Sequence, residues 1–242
     1  MRYALISDIH SNLEALEQVL ADIDKFDCDQ ILSLGDVVGY GPNPNECLDL
    51  LLRSTELTLG GNHDWAVVGK TNPSNFNRLA KKALDWTKNI LRGDLKDFLK
   101  STQSTCTFHG FQLAHSSPSN PREWHYIITK EEAAANYPFI KQNICFIGHT
   151  HIPVIIELAN CKASRALNPR KLIMEKGKKY IVNVGSIGQP RDNNPSSSWV
   201  IYDDEEYSVE YRRVNYDIVK VQEKMQLAGL PDYLVKRLAK GH

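Results

Sequence analysis

Five short apolar runs in this chain each end, within a few residues, in a cluster of Asp, Asn or His, and this repeated ending constrains the fold most. Residues 3–7 run into Asp8-Ile9-His10, residues 31–34 into Gly35-Asp36, and residues 57–59 into Gly60-Gly61-Asn62-His63-Asp64. Residues 111–115 end on His115, and residues 144–147 run into Gly148-His149-Thr150-His151. An apolar run this short, bounded by Gly and polar residues, reads as a buried strand. Polar residues gathered at the C-terminal ends of strands are the arrangement in which open α/β sheets keep their sites.

Between the first runs, Leu13, Leu16, Val19, Leu20 and Ile23 recur at helical spacing, and a second helix is predicted over about 45–53. These strand–helix–strand units predict parallel pairing. Further helices are expected over about 75–91, with Phe76, Leu79, Ala80, Ala83 and Leu84 on the apolar face, and over 94–100. Residues 104–108 and 111–115 read as a hairpin turning near Gly110, followed by a helix near 130–137. Runs at 154–158, 171–175, 179–184, 198–202 and 207–214 have hairpin-like spacing, and helices are expected over 217–227 and 231–239. Early parallel and late antiparallel signals predict an α/β sandwich of two mixed sheets rather than one doubly wound sheet. With 242 residues, 42% hydrophobic and no evident linker, one domain spanning 1–242 is expected.

The 29 basic and 29 acidic residues balance, so no global field draws nucleic acid or an anionic membrane. The basic pairs Lys81-Lys82, Lys178-Lys179 and Arg212-Arg213 read as solvated faces. No stretch approaches the roughly 20 apolar residues of a membrane span. Asp8 interrupts the N-terminus before a signal peptide could form, so a cytoplasmic protein is expected. Cys28, Cys47, Cys106, Cys145 and Cys161 are dispersed without a C-x-x-C pair, which argues for small buried residues rather than disulfides or a zinc ribbon.

Carboxylates, imidazoles and amide oxygens together are ligands for hard or borderline divalent metals. Asp8 and His10 stand at i, i+2, a spacing that in extended chain sends both side chains to one side; His149 and His151 repeat it. Asp36 has two oxygens and can give one to each of two metals roughly 3.5–4 Å apart. Asn62 adds a neutral oxygen, which limits negative charge, and His115 completes the set. Singly, an Asp or Asn after a strand is more often a turn former or a cap, and a lone His is usually a surface or hydrogen-bonded residue. Their recurrence after successive strands makes the argument joint. His109, His125 and His242 stand outside it and read as surface residues.

These motifs, with Asn183-Val184-Gly185-Ser186-Ile187-Gly188-Gln189-Pro190-Arg191, resemble the calcineurin-like metallophosphoesterase superfamily. The likeness is to its bacterial and archaeal branch, related to diadenosine tetraphosphatase and serine/threonine protein phosphatases. The resemblance implies a four-layer αββα sandwich with two divalent metal ions. One would be held by Asp8, His10, Asp36 and His151, the other by Asp36, Asn62, His115 and His149. Manganese is the first expectation, with iron, zinc, nickel, cobalt and magnesium as alternatives. The implied reaction is hydrolysis of phosphodiester or phosphomonoester bonds in a phosphorylated small molecule or nucleotide by a hydroxide bridging the metals. Assembly as an oligomer is compatible with it.

By the same resemblance His63 would protonate the leaving oxygen, with Asp64 orienting it and raising its pKa; the alternative is that the pair caps the following helix. Arg191 is the candidate phosphate clamp, against a solvated arginine paired with Asp192. The segment Arg122-Glu123-Trp124-His125-Tyr126 either covers the pocket or seals the core edge. Arg122 within it and Tyr40 are candidate substrate contacts. One departure matters: protein phosphatases and symmetrical dinucleoside tetraphosphatases have Asp-Arg-Gly where this chain has Gly39-Tyr40-Gly41. The missing arginine makes phosphodiester or nucleotide hydrolysis at least as well favoured as phosphoprotein dephosphorylation. The reading from another class is a catalytically silent metal-binding scaffold.

Overall fold

The computed structural model describes residues 1–159, 162–167 and 170–242. From the N-terminus, β1 (Arg2–Ile6), α1 (Leu13–Ile23), β2 (Gln30–Ser33), α2 (Pro44–Ser54) and β3 (Leu57–Thr58) form two β-α-β units whose strands pair in parallel. Three helices follow, α3 (Asn62–Val67), α4 (Arg78–Ile90) and α5 (Gly93–Ser101), and then the hairpin of β4 (Thr105–Phe108) and β5 (Phe111–Ala114). After α6 (Lys130–Ala135) come β6 (Ile144–Ile147), β7 (Val154–Ala159), β8 (Lys162–Leu167), β9 (Lys171–Ile173) and β10 (Lys179–Asn183). The chain continues through β11 (Ser197–Asp203), β12 (Ser208–Val214), α7 (Ile218–Leu227) and α8 (Asp232–Arg237).

The strands form two six-stranded mixed sheets, ordered β3-β2-β1-β11-β12-β9 and β4-β5-β6-β10-β7-β8. The two-residue period of a strand sorts β1 between two cores. Tyr3 and Leu5 enter the layer between the sheets, with Leu32, Leu34, Phe111, Phe146, Tyr180 and Val200. Ala4 and Ile6 face outward, against Leu16 and Val19 of α1 and Leu48 and Leu51 of α2. Asn12 caps α1 by accepting from the Ala15 amide, which starts the helix directly after the loop that follows β1. On the far side Ala133 of α6 packs with Ile127 and Ile140 over Cys145, Ile147 and Ile181. Helix, sheet, sheet, helix is the expected four-layer order. A further cluster joins α4, α7 and α8 around Tyr40, bracing the loop after β2.

Two departures from the sequence reading have clear causes. The helix expected over 75–91 starts at Arg78, because Asn77 accepts from the Leu79 and Ala80 amides and caps it; Phe76 is therefore free of the helix. β8 was not anticipated: Lys-Ala-Ser-Arg-Ala-Leu has no apolar run, and the strand forms as the antiparallel edge partner of β7. Cys47 and Cys145 are buried, Cys28 and Cys106 half-buried, none of the four is bonded, and Cys161 lies outside the described residues. No helix among the described residues is long and apolar enough to cross a membrane.

Candidate metal centre

The residues singled out from sequence follow β1, β2, β3, β5 and β6, and main-chain hydrogen bonds zip their loops together beyond the sheets. Asp8 and His10 donate to the carbonyls of Gly35 and Asp36, and Gly148 donates to that of His115. Across the two sheets Ile187 and Gly188 donate to the carbonyls of Ser7 and Asp8, and the His149 amide donates to Asp8 Oδ2 at 2.9 Å. These bonds hold an unusual backbone: Asp8, His10, Asp36, His149 and His151 have φ of +53°, +49°, +53°, +66° and +62°. Such left-handed conformations cost on the order of 1–3 kcal/mol each and persist only where their surroundings enforce them. Gly61 is required for a different reason, since a Cβ there would lie 2.1 Å from Asp36 Oδ1. At Gly39 it would lie 2.6 Å from His63 Nδ1.

Three overlapping groups bring donor atoms within 4.8 Å of one another: Asp8, His10 and His151; His10, Asp36 and His63; Asp36, His115 and His149. All are buried. Asn62 joins the third group, its Oδ1 3.3 Å from His115 Nε2. Four of the histidines share one feature. His10 Nδ1 meets the Val38 carbonyl at 3.2 Å, His115 Nδ1 that of Leu34 at 2.9 Å, His151 Nδ1 that of Gln189 at 2.6 Å, and His149 Nε2 that of Trp124 at 2.9 Å. A carbonyl only accepts, so the proton of each neutral ring sits on that nitrogen and the lone pair of the other turns inward.

With all four rings neutral, the outcome is a space surrounded by acceptors. His10 Nε2 and His151 Nε2 stand 3.1 Å apart. Burial holds both rings below the ordinary histidine pKa, so two lone pairs confront each other unless a cation lies between. Asp8 Oδ1, 3.1 Å from His151 Nε2, is buried without a hydrogen bond. Burial pushes Asp8 and Asp36 up, yet His151 beside Asp8, and His115 and His63 beside Asp36, hold both below the usual carboxylate range. Burial likewise lowers His115, but Asp36 and Asp8 outweigh it and raise its pKa to about 9. This donor set fits divalent metal ions.

The geometry shows what each Asp36 oxygen already meets. Oδ1 accepts the His63 amide at 2.8 Å, a free N–H of the first turn of α3, while Oδ2 alone faces His10 Nε2 at 3.7 Å and His115 Nε2 at 3.4 Å. It also corrects the coupling of Asp64 to His63. The Asp64 oxygens accept from the amides of Val38 and Gly61, each at 3.0 Å, in a capping arrangement. Burial, reinforced by Asp36, pushes its carboxyl up to about 7. His63 is therefore not raised: burial takes it down to about 4. Its ring lies 4.9 Å from that of His10, 4.5 Å from Tyr40 and 4.7 Å from Phe76, and its buried Nδ1 has no partner.

Arg191 donates to Gln189 Oε1 at 2.9 Å and lies 5.9 Å from the Tyr40 ring centre. Asp192 pairs with Arg213 instead, so the Arg191–Asp192 alternative is not formed. Tyr40 is buried against His10 and His63. Arg122 is exposed and lies 5.8 Å from the Trp65 ring centre, with no described contact to the cluster. The same loop turns Trp124 and Tyr126 inward: Trp124 stands edge-on to His115 at 5.9 Å, and Tyr126 stacks on His149 at 4.3 Å and 13°. It covers the cluster, and Trp124 also packs edge-on against the buried Trp65 at 5.3 Å. The four locking carbonyls and Phe76 were missed from sequence. Main-chain groups leave no residue signature, but Asn77, a strong N-cap residue, could have freed Phe76 from the helix.

Comparison with known proteins follows the same lines. The sequence model of the calcineurin-like phosphoesterase superfamily domain matches residues 1–206. An uncharacterized protein of Methanocaldococcus jannaschii is 37% identical over 243 residues, covering 98% of this chain and 97% of that protein. The crystal structure of a metallophosphoesterase from Sphaerobacter thermophilus superposes with a TM-score of 0.88 at 39% identity, covering 100% of this chain and 99% of that one. A hypothetical protein from Pyrococcus horikoshii shares the fold at a TM-score of 0.80 and 18% identity, covering 100% and 98% of the two chains.

Proposed function

The chain belongs to the calcineurin-like phosphoesterase superfamily, and on that premise we propose that it hydrolyses phosphomonoester or phosphodiester bonds at two divalent metal ions bridged by Asp36. The observation behind this is the converging ligand set: four carbonyl-locked imidazoles, two carboxylates held ionised and one amide oxygen. Asp8, His10, Asp36 and His151 would hold one ion, and Asp36, Asn62, His115 and His149 the other. Bound there, the ions supply Lewis acidity and a water acidified towards neutrality. Manganese suits this mixed oxygen and nitrogen set, with iron, zinc, nickel, cobalt and magnesium as alternatives.

His63 is the one cluster histidine without a carbonyl lock, so its ring is free to take and give a proton. Burial keeps it neutral, and an anionic phosphate beside it raises its pKa and makes it a proton donor to the leaving oxygen. Asp64 acts at one remove, holding the turn from which the His63 amide reaches Asp36. Arg191 has no carboxylate partner among the described residues and would grip a phosphoryl oxygen. The substrate class is a phosphorylated small molecule or nucleotide of the cytoplasm. The purified protein is expected to bind two Mn²⁺ per chain and to turn over bis-p-nitrophenyl phosphate or p-nitrophenyl phosphate, with loss of activity on chelation. No turnover of either ester with any of these six metals would overturn the reading.

A further inference from the structure

We propose that the substrate's leaving group carries a nucleobase, which lies in the cavity bounded by Phe76 and Tyr126; this rests on the phosphoesterase reading above. The room around the cluster is lopsided. On the side of His10, against Tyr40 and Gln189, the cavity is about 10 Å³, no more than one water. On the side of Asn62 and His149 a cavity of about 170 Å³ opens. That side offers a group departing from phosphorus the room that the His10 side lacks.

Its walls state what that group is. Phe76 and Tyr126 both line it, and both touch the machinery: Phe76 packs on His63 at 4.7 Å and Tyr126 on His149 at 4.3 Å. An oxygen protonated by His63 is therefore next to Phe76, and the group behind it passes between aromatic surfaces. Tyr126 is still 46% exposed, which leaves ring surface for a ligand. No lysine or arginine lines the cavity. Its one charged side chain, Glu123, is already paired with His125 at 2.7 Å. A leaving group ending in another phosphate would find no counter-charge there. Asn72 and Asn75 add amides, and Asn72 spends only its oxygen, on the Ser74 amide, so its N–H groups stay free. Aromatic walls with amide edges and no cation match a base, which stacks on its faces and hydrogen-bonds at its rim.

The test compares 5′-AMP with ribose 5-phosphate, and the methyl diester of each, on the Mn²⁺-loaded protein. Each pair breaks the same bond and differs only in the base. The expected kcat/KM ratio favours the base-bearing ester by roughly ten- to a hundredfold, the range of base–aromatic stacking. Tyr126→Ala should bring the ratio close to one, and Asn72→Ala should lower it several-fold. The ratio cancels any effect of either variant on the metals. A ratio near one in the unmodified protein, with turnover intact, overturns the proposal and leaves the phosphoesterase reading standing. If no ester is turned over, quenching of Trp124 fluorescence decides: equal affinity for 5′-AMP and ribose 5-phosphate overturns it, and tenfold tighter 5′-AMP supports it.

Discussion

His10 and His151, in one half of the cluster, give their ring N–H to Val38 and Gln189, whose amides are themselves tied to Asp64 and to Ser186 beside the strand ends. His149, in the other half, gives its N–H to Trp124, in a loop that reaches over the cluster and is pinned by a bond from the Trp124 indole to Thr71 Oγ1 at 3.1 Å. The first half is thus framed by the sheets, the second partly by a loop. Two ions in one site need not be equally tight. On the proposed two-ion reading the loop-framed position is the looser one, and it lies beside the cavity of about 170 Å³.

The largest test of this asymmetry is Asp36→Asn, which touches both halves. It is expected to remove both ions and to lower kcat/KM by roughly a thousandfold or more, read by metal analysis alongside kinetics. Asp8→Asn should remove one ion only; loss of both would break the division into halves. His63→Ala should keep both ions and lose about 10²- to 10⁴-fold in rate, since proton transfer contributes that much. Should it lose metal instead, His63 is a ligand and the role given to it here is wrong.

A smaller effect separates the halves by pH. His115, raised to about 9, must give up a proton before the second ion binds, so affinity there rises with pH until about 9 and falls below it. Titration with Mn²⁺ should show the second site tightening roughly tenfold per unit between pH 7 and 9. The first site, whose histidines are already neutral, should stay level over the same range. The smallest effect expected is from Thr71→Val, which removes the pin on Trp124. Losing one such hydrogen bond should weaken the second ion about three- to tenfold and leave the first unchanged. Equal weakening of both would mean the loop does not belong to one half.

The residues that the structure gathers into one cluster were legible because metal chemistry admits few types. What stayed hidden was set by main-chain groups and by facing. Nothing in Asp36 says that a helix N–H will claim one of its oxygens. Nothing in Asp64 says that two amides will claim both of its own. Arg122 and Trp124 stand on one loop and both reach Trp65, yet only Trp124 also reaches His115, which the turn between them decides. β8 stayed hidden because its pairing, not its composition, makes it a strand.

β1 sits between β2 and β11, so residues from both ends of the chain are paired across one strand. The donors nevertheless arrive early, from Asp8 to His151, while the strand that completes the sheet around β1 begins at Ser197. Contacts of such long span form late in folding. A chain emerging from synthesis therefore holds all seven proposed metal ligands well before it has the shape to hold a metal in place.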